Sequence, residues 1–462
     1  MGECLITRRG GEAHKLPVLD TSYPKDSNLT IIKGNSTSAT FTVVIAEAGS
    51  PAEYTYKWYV NGSLVSGANL SSYTKTDLTD TGTYTVYCEV INKAGTVTSR
   101  IATLKVTQHY TPVLNSNYPA NVTSVEQASF SATFNVAIAT AGNPASYTYQ
   151  WYWNGSAVSG ATSSSYTRTG SLGVGSYTVY CKVTNAAGTV TSRTATLIVT
   201  SYKPTYTYSG NAQLIDDGNY NWRIKFLTSG VLNFTSLGNA SSIDVFCVGG
   251  GGAGCNAGGG GGYTGTSRGV GVSAGTNYTI EIGAGGTIGS GYPYPETSSY
   301  SGNAGGNTSA FGLVVGGGQA AYQVYVRDEN QSYTYGGNGG SGGGVHGNGD
   351  WTSGNGGSDG GAGGTGAKPH PRSFAGSGQG STTREFGESW GSLYAGGGGG
   401  GNYYTGSERG FGGAGGGGNG YASDSKPGSA GTANTGGGGG GGWGQGHGYA
   451  GGSGIVVIRN KR

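Results

Sequence analysis

Methionine occurs once, charged residues make up only 11% of the chain, and no apolar run approaches 18 residues. A bilayer-spanning helix needs about 20 apolar residues, so membrane insertion by that route is not expected. The net charge is +3, far from the basic footprint of a nucleic-acid binder. The five cysteines (Cys4, Cys88, Cys181, Cys247, Cys255) form no Cys-x-x-Cys pair, so no zinc site is expected. Cys247 and Cys255 are close enough to meet but read better as free thiols. His14, His109, His346, His370 and His447 are scattered without His-Glu-x-x-His spacing. Gly-x-Gly-x-x-Gly strings abound by composition alone, and no Gly-Lys-Ser/Thr follows any of them. Glu385 and Glu388 are close enough for acid–base work but read as an ordinary solvated pair. No catalytic residue, metal or cofactor is expected, and the chain does not read as an enzyme. Its first residues lack an apolar signal core, so synthesis in a cytoplasm without classical export is expected.

What the chain has instead is glycine. Of 98 glycines, 78 lie from Gly249 onward, in runs such as Gly396–Gly401 and Gly436–Gly442. Collagen needs glycine at every third position and abundant proline. This stretch has only Pro293, Pro295, Pro369, Pro371 and Pro427, which excludes it. Disorder is opposed by sparse charge and recurrent Tyr and Trp. The remaining option is a bundle of extended, three-residue-per-turn helices. These have no internal hydrogen bonds, so their N–H and C=O groups must be satisfied by neighbours. A helix surrounded on every side should read as a glycine run. A rim helix should read as Gly-Gly-x, as in Gly356-Gly357-Ser358 and Gly363-Gly364-Thr365.

Before this stretch the chain repeats itself. Ala94–Arg100 recurs identically as Ala187–Arg193, and Tyr84–Cys88 as Tyr177–Cys181. Short alternating runs with Asn61-Gly62 and Asn154-Gly155 turns indicate antiparallel sandwiches over 17–107 and 112–200. Trp58, with Asp80-Thr-Gly-Thr-Tyr84 downstream, resembles an immunoglobulin-like domain, and Trp151 and Tyr177 repeat the pattern. The resemblance implies a core tryptophan on strand C and a tyrosine corner at Tyr84. It also implies a cysteine two residues after Tyr84, where Val86 stands; Phe41–Ile45, the expected strand B, carries no cysteine. Packing alone must therefore hold each sandwich. Such domains serve as spacers or as binders; the spacer reading is preferred here.

Residues 1–16 form a polar arm suited to anchoring on a partner, and 201–210 read as a linker. Within 205–462, Trp222–Leu227, Ser242–Val248, Tyr278–Ile282, Phe311–Val315 and Ile455–Arg459 read as strands. They can bury one another only as a small sandwich from which the glycine runs emerge as insertions. The order Ile243–Gly252, Gly261–Gly265, Gly283–Gly286, Gly316–Gly318 and Gly452–Arg459 resembles the glycine-rich domain of bacteriophage tail proteins. It is similar in composition to phage adhesin tips of packed polyglycine helices and to the glycine-rich domain of the anaplastic lymphoma kinase family.

In phage adhesins of this kind, loops between glycine helices contact the host receptor. Here the loops are 292–300, 319–335, 367–374, 381–394, 402–411 and 421–435. The candidate binding residues are Tyr292, Tyr294, Tyr322, Tyr325, Tyr333, Tyr335, Trp390, Tyr394, Tyr403 and Tyr404. Aromatic rings among Asn, Gln and Ser suit carbohydrate; the alternative is that they cover the sides of the bundle. The expected fold class is all-β: two immunoglobulin-like sandwiches, then a sandwich with polyglycine helical insertions. The expected function is that of a phage virion protein, a tail fibre or tail-tip adhesin. Its partners would be other virion proteins, bound through the arm, and a host glycan or protein; a homotrimer is expected. A head fibre or capsid decoration protein and a bacterial surface adhesin are the alternatives.

Overall fold

The computed structural model describes residues 14–127, 129–289, 299–326, 331–346, 378, 383–402, 409–443 and 447–462. They are strand and extended chain, with a single 3-10 turn at Glu385–Gly387 as the helical element among them. The chain falls into two compact units, one built on the two repeats and the other on residues 199–462.

In the first repeat, one sheet runs in the order Ser27–Ile32, Ala102–His109, Gly82–Asn92, Thr55–Val60 and Ser63–Leu64. Thr37–Thr42 pairs with Ser72–Leu78 to form the opposing layer. Val86, Cys88 and Val90 alternate inward along one strand, as a half-buried strand requires. Trp58 is fully buried opposite Cys88 and donates its indole N–H to the Leu70 carbonyl at 2.8 Å. The second repeat places Trp151 opposite Cys181, with its N–H on Ser163 at 2.9 Å. Cys88 and Cys181 are buried free thiols. Burial pushes them up to about 12 and about 11, so both act as small apolar groups.

The second unit begins with a sandwich. One five-stranded sheet runs Thr205–Tyr208, Gly230–Ser236, Asn277–Glu281, Thr308–Ala310 and Leu313–Val315. The other runs Ala212–Gly218, Asn221–Phe226, Ile455–Asn460, Ile243–Val248 and Thr264–Val270. Trp222, Ile224, Phe226, Leu232, Phe234, Val245, Ile280, Val456 and Ile458 fill the space between them. Part of the segment that reads as a linker is therefore an edge strand, because Tyr206 and Tyr208 pack against Phe234 and Phe226. Phe311 is not a strand residue; with Gly312 it makes a positive-φ turn (51° and 80°) between two short strands.

The glycine segments leave this sandwich as extended chain bonded sideways. Gly249, Gly250 and Gly251 donate to Tyr263, Gly306 and Gly452, three different segments. Gly252, Ala253 and Gly254 then donate to Gly260, Asn303 and Tyr449, the same three segments in the same order. That period of three is the repeat of a polyproline-II-type helix. The carbonyls of Gly250, Gly251 and Gly252 accept from Gly318, Gly286 and Gly439, which adds three more neighbours. The six neighbours bond to one another in turn, through pairs such as Gly260 to Gln319, Gly305 to Gly318, Gly306 to Ala284, Gly451 to Gly286, Gly452 to Gly437 and Gly259 to Gly439. Segment 249–254 is thus the centre of a hexagon.

Segments 258–263 and 436–442 are ringed in the same way, and 396–401 is ringed with Gly378 on one side. These four interior helices carry glycine runs of the sequence; a further run, Gly415–Gly418, lies on the rim. Glycine is required inside because of space. A Cβ on Gly251 would lie 2.0 Å from the Gly437 carbonyl oxygen, and one on Gly439 would lie 1.9 Å from that of Tyr449.

Candidate functional site

Each lattice helix starts or ends on a sandwich strand or in a turn, so the lattice has a near end and a far end. Segment 249–254 leaves strand Ile243–Val248, turns at 255–257 and returns as 258–263 into Thr264–Val270. Segment 436–442 runs outward beside it, since Gly439 donates to Gly252 and Gly442 to Cys255. The helix ends at 287 and 303, 321 and 337, 401 and 410, 421 and 429, and 442 and 449 therefore lie with the 255–257 turn at the far end. Turns 414–416 and 432–435 lie at the near end, where Thr432 donates to Gly416 and Gly436 to Ser453.

The far end carries aromatic side chains on two flanks. On one, the hairpin Tyr322–Val326 with Gln331–Tyr335 pairs Tyr322 with Tyr335 and Val324 with Tyr333. The Tyr322 and Tyr335 rings stack at 4.5 Å, and Tyr322 remains 42% exposed. Residues directly opposite in an antiparallel pair share a face, so Tyr322, Tyr333 and Tyr335 line one face of the hairpin. Gln323 and Thr334 line the other, and Thr334 is buried against the lattice. Tyr325 belongs to the same hairpin.

On the opposite flank, Tyr421 and Trp443 lie 6.3 Å apart, with Trp443 48% exposed. Tyr421 donates its hydroxyl to Asp424 at 2.7 Å, which raises its pKa. Arg409 lies over the ring of Phe411, which is exposed. Tyr421, Phe411 and Trp443 are absent from the sequence-based set. Trp443 had a signal, since an aromatic directly after the longest glycine run must stand where an interior helix stops. Tyr292, Tyr294, Tyr403 and Tyr404, and the whole 367–374 loop, lie outside the described residues.

Segment 383–394 is at the wrong end for a far-end loop. It lies across the outer face of the sandwich sheet, where Phe386 and Tyr394 pack on Phe246. Tyr394 is only 4% exposed; burial first, then the Glu385 charge, raises its phenol pKa. It is a core residue rather than a surface contact, and its hydroxyl accepts from Lys225 at 3.0 Å and donates to Glu385 at 3.2 Å. Glu385 and Glu388 are not a solvated pair. Glu385 is buried and binds Arg223 at 2.8 Å and Lys225 at 3.5 Å. Glu388 accepts from Arg459 at 2.7 Å, and Arg459 also meets Asp244 at 3.3 Å. Both carboxylates are held by cations, which describes a strap fastened to the sheet. Trp390 is 64% exposed, but it stands by Arg462, beyond the end of the strand that leads away from the lattice.

The glycine-rich domain family matches residues 227–461. The chain belongs to that family. The matched range takes in most of the sandwich, the strap and the whole lattice, so in this protein the glycine-rich domain is one body of sandwich and lattice. No curated protein matches the chain. Among solved structures, the chain is similar to the titin I-band fragment I67–I69, at 15% identity over 70% of this chain and 97% of that one, with a TM-score of 0.29. It is also similar to Sidekick-1 immunoglobulin domains 1–5, at 18% identity over 52% of this chain and 48% of that one, with a TM-score of 0.29. Sandwich repeats joined to a glycine-rich domain fit an adhesin or a structural protein.

Proposed function

We propose that the chain is a bacteriophage virion protein, a tail fibre or tail-tip adhesin, that binds a host-surface receptor through the far end of its glycine lattice. The repeats act as spacers, and residues 1–16 attach to other virion proteins. One observation carries the reading: the interior helices have almost no side chains, while among the described residues the far end displays aromatic ones, with Tyr322 and Trp443 exposed on opposite flanks. Loops on a rigid scaffold are where binding residues concentrate. A glycan suits this surface, because tyrosine and tryptophan rings stack on sugar C–H faces and Asn and Gln side chains take hydroxyls.

Closed cyclic oligomers are the usual solution for symmetric attachment sites, and the chain is proposed to work as a trimer. Light scattering of the intact chain should give three chain masses; a monomer mass at micromolar concentration removes the trimer. The functional test is adsorption of phage carrying the double change Tyr322→Ala and Tyr335→Ala. An exposed ring pair contributes on the order of 1–2 kcal/mol per ring, and virion multiplicity amplifies the loss. Adsorption should fall at least tenfold, while Trp390→Ala, on the strap side, adsorbs normally. Normal adsorption by both the Tyr322→Ala, Tyr335→Ala double variant and a Trp443→Ala variant would favour a capsid decoration role.

A further inference from the structure

The hairpin bearing Tyr322, Tyr333 and Tyr335 meets the lattice through polar side chains among its described residues. Two of these, Gln323 and Thr334, stand directly opposite each other in the strand register. At its base, Asn338 donates to the Gln319 side chain at 3.1 Å. Further out, Asn256 donates its Nδ2–H to Gln323 Oε1 at 2.8 Å. Asn256 sits in the 255–257 turn that joins two interior helices, at the centre of the far end. Its own backbone carbonyl accepts from Gly401. One side chain therefore ties the hairpin to the middle of the lattice.

Asn256 and Thr334 are 4% and 1% exposed, yet Asn256 Oδ1 and Thr334 Oγ1 have no hydrogen-bond partner in the protein. Both atoms flank Gln323, one through the Asn256 amide and the other across the strand pair. A buried polar atom left unpaired is strongly disfavoured, and a buried water bridging two to four polar groups is the usual remedy. We propose that Asn256, Gln323 and Thr334 form a site for one ordered water, donating to Asn256 Oδ1 and bridging to Thr334 Oγ1. Through this site Asn256 acts as the positioning residue for the hairpin's aromatic face. The functional part of the proposal rests on the far-end binding reading; the latch itself does not.

The test compares Thr334→Val with Thr334→Ser in the full chain. Valine keeps the shape and removes the hydroxyl, whereas serine keeps the hydroxyl. Amide hydrogen exchange across 322–335 should quicken about tenfold in Thr334→Val and return to the native rate in Thr334→Ser, with exchange in 436–442 unchanged. Asn256→Asp, which loses the donor to Gln323, should quicken exchange in the same segment. Adsorption should fall with Thr334→Val and recover with Thr334→Ser. If valine leaves exchange unchanged or slows it, the hydroxyl holds no water and the latch is overturned. If exchange follows the proposal and adsorption does not move, the latch stands and the hairpin is not the receptor contact.

Discussion

The two halves of the glycine-rich domain are stabilised by opposite means. The sandwich is filled by large side chains, with Trp222, Phe226 and Phe234 wholly buried. The lattice has no such core: its interior helices are held by N–H···O=C bonds to neighbours on every side, at about 2.8–2.9 Å. Ordering glycine loses more backbone entropy than ordering any other residue, and the lattice offsets that loss by satisfying the backbone laterally. The sandwich needs volume and is harmed by its removal. The lattice needs the absence of volume and is harmed by its addition.

Substitutions can break or sharpen this contrast. The largest effect should come from the sandwich: Trp222→Ala empties a fully buried site and should cost about 3–5 kcal/mol, read from denaturant midpoints. Gly439→Ala should cost about 3 kcal/mol, at the upper end for overpacking, because its methyl would meet the Tyr449 carbonyl. Exposed Ala430→Ser on the rim should stay within about 0.5 kcal/mol. Equal tolerance at Gly439 and Ala430 would remove the lattice argument.

The strap tests a third kind of cohesion. Arg459 is buried between Asp244 and Glu388, and Arg459→Met leaves both carboxylates without that cation. Breaking a buried pair from one side costs about 3 kcal/mol; a stability change below 1 kcal/mol would show that the ions contribute little. A further effect concerns pH. Burial holds His346 down to about 4, against about 6.5 in an unfolded chain. Between those values the unfolded chain takes up a proton that the folded one refuses. Stability should therefore decline as pH falls from about 6.5 to about 4, and His346→Gln should remove that part of the slope.

Legibility in the sequence followed the same divide. The lattice interior was readable because the constraint is local: a helix with six neighbours must be almost entirely glycine, so Gly436–Gly442 announces its own position. Asn221–Phe226 and Ile455–Asn460 were readable from apolar alternation and the terminal apolar run. Strands such as Thr264–Val270 were not, since their residues are small and polar and depend on the neighbouring strand for their place. The strap was hidden for another reason. Glu385 finds Arg223 across 162 positions of sequence, and nothing local to Glu385 distinguishes it from a loop at the other end.

Among the described residues, successive lattice helices bond to each other where the chain leaves and re-enters the far end, as 316–321 and 337–340 do through Gln319 and Asn338. The ends of each connection are therefore fixed a few ångströms apart whatever lies between them. Loop closure depends only weakly on length, so residues can be gained, lost or exchanged in one loop without disturbing the others. That makes each loop a separately variable unit, set on a scaffold that carries almost no side chains.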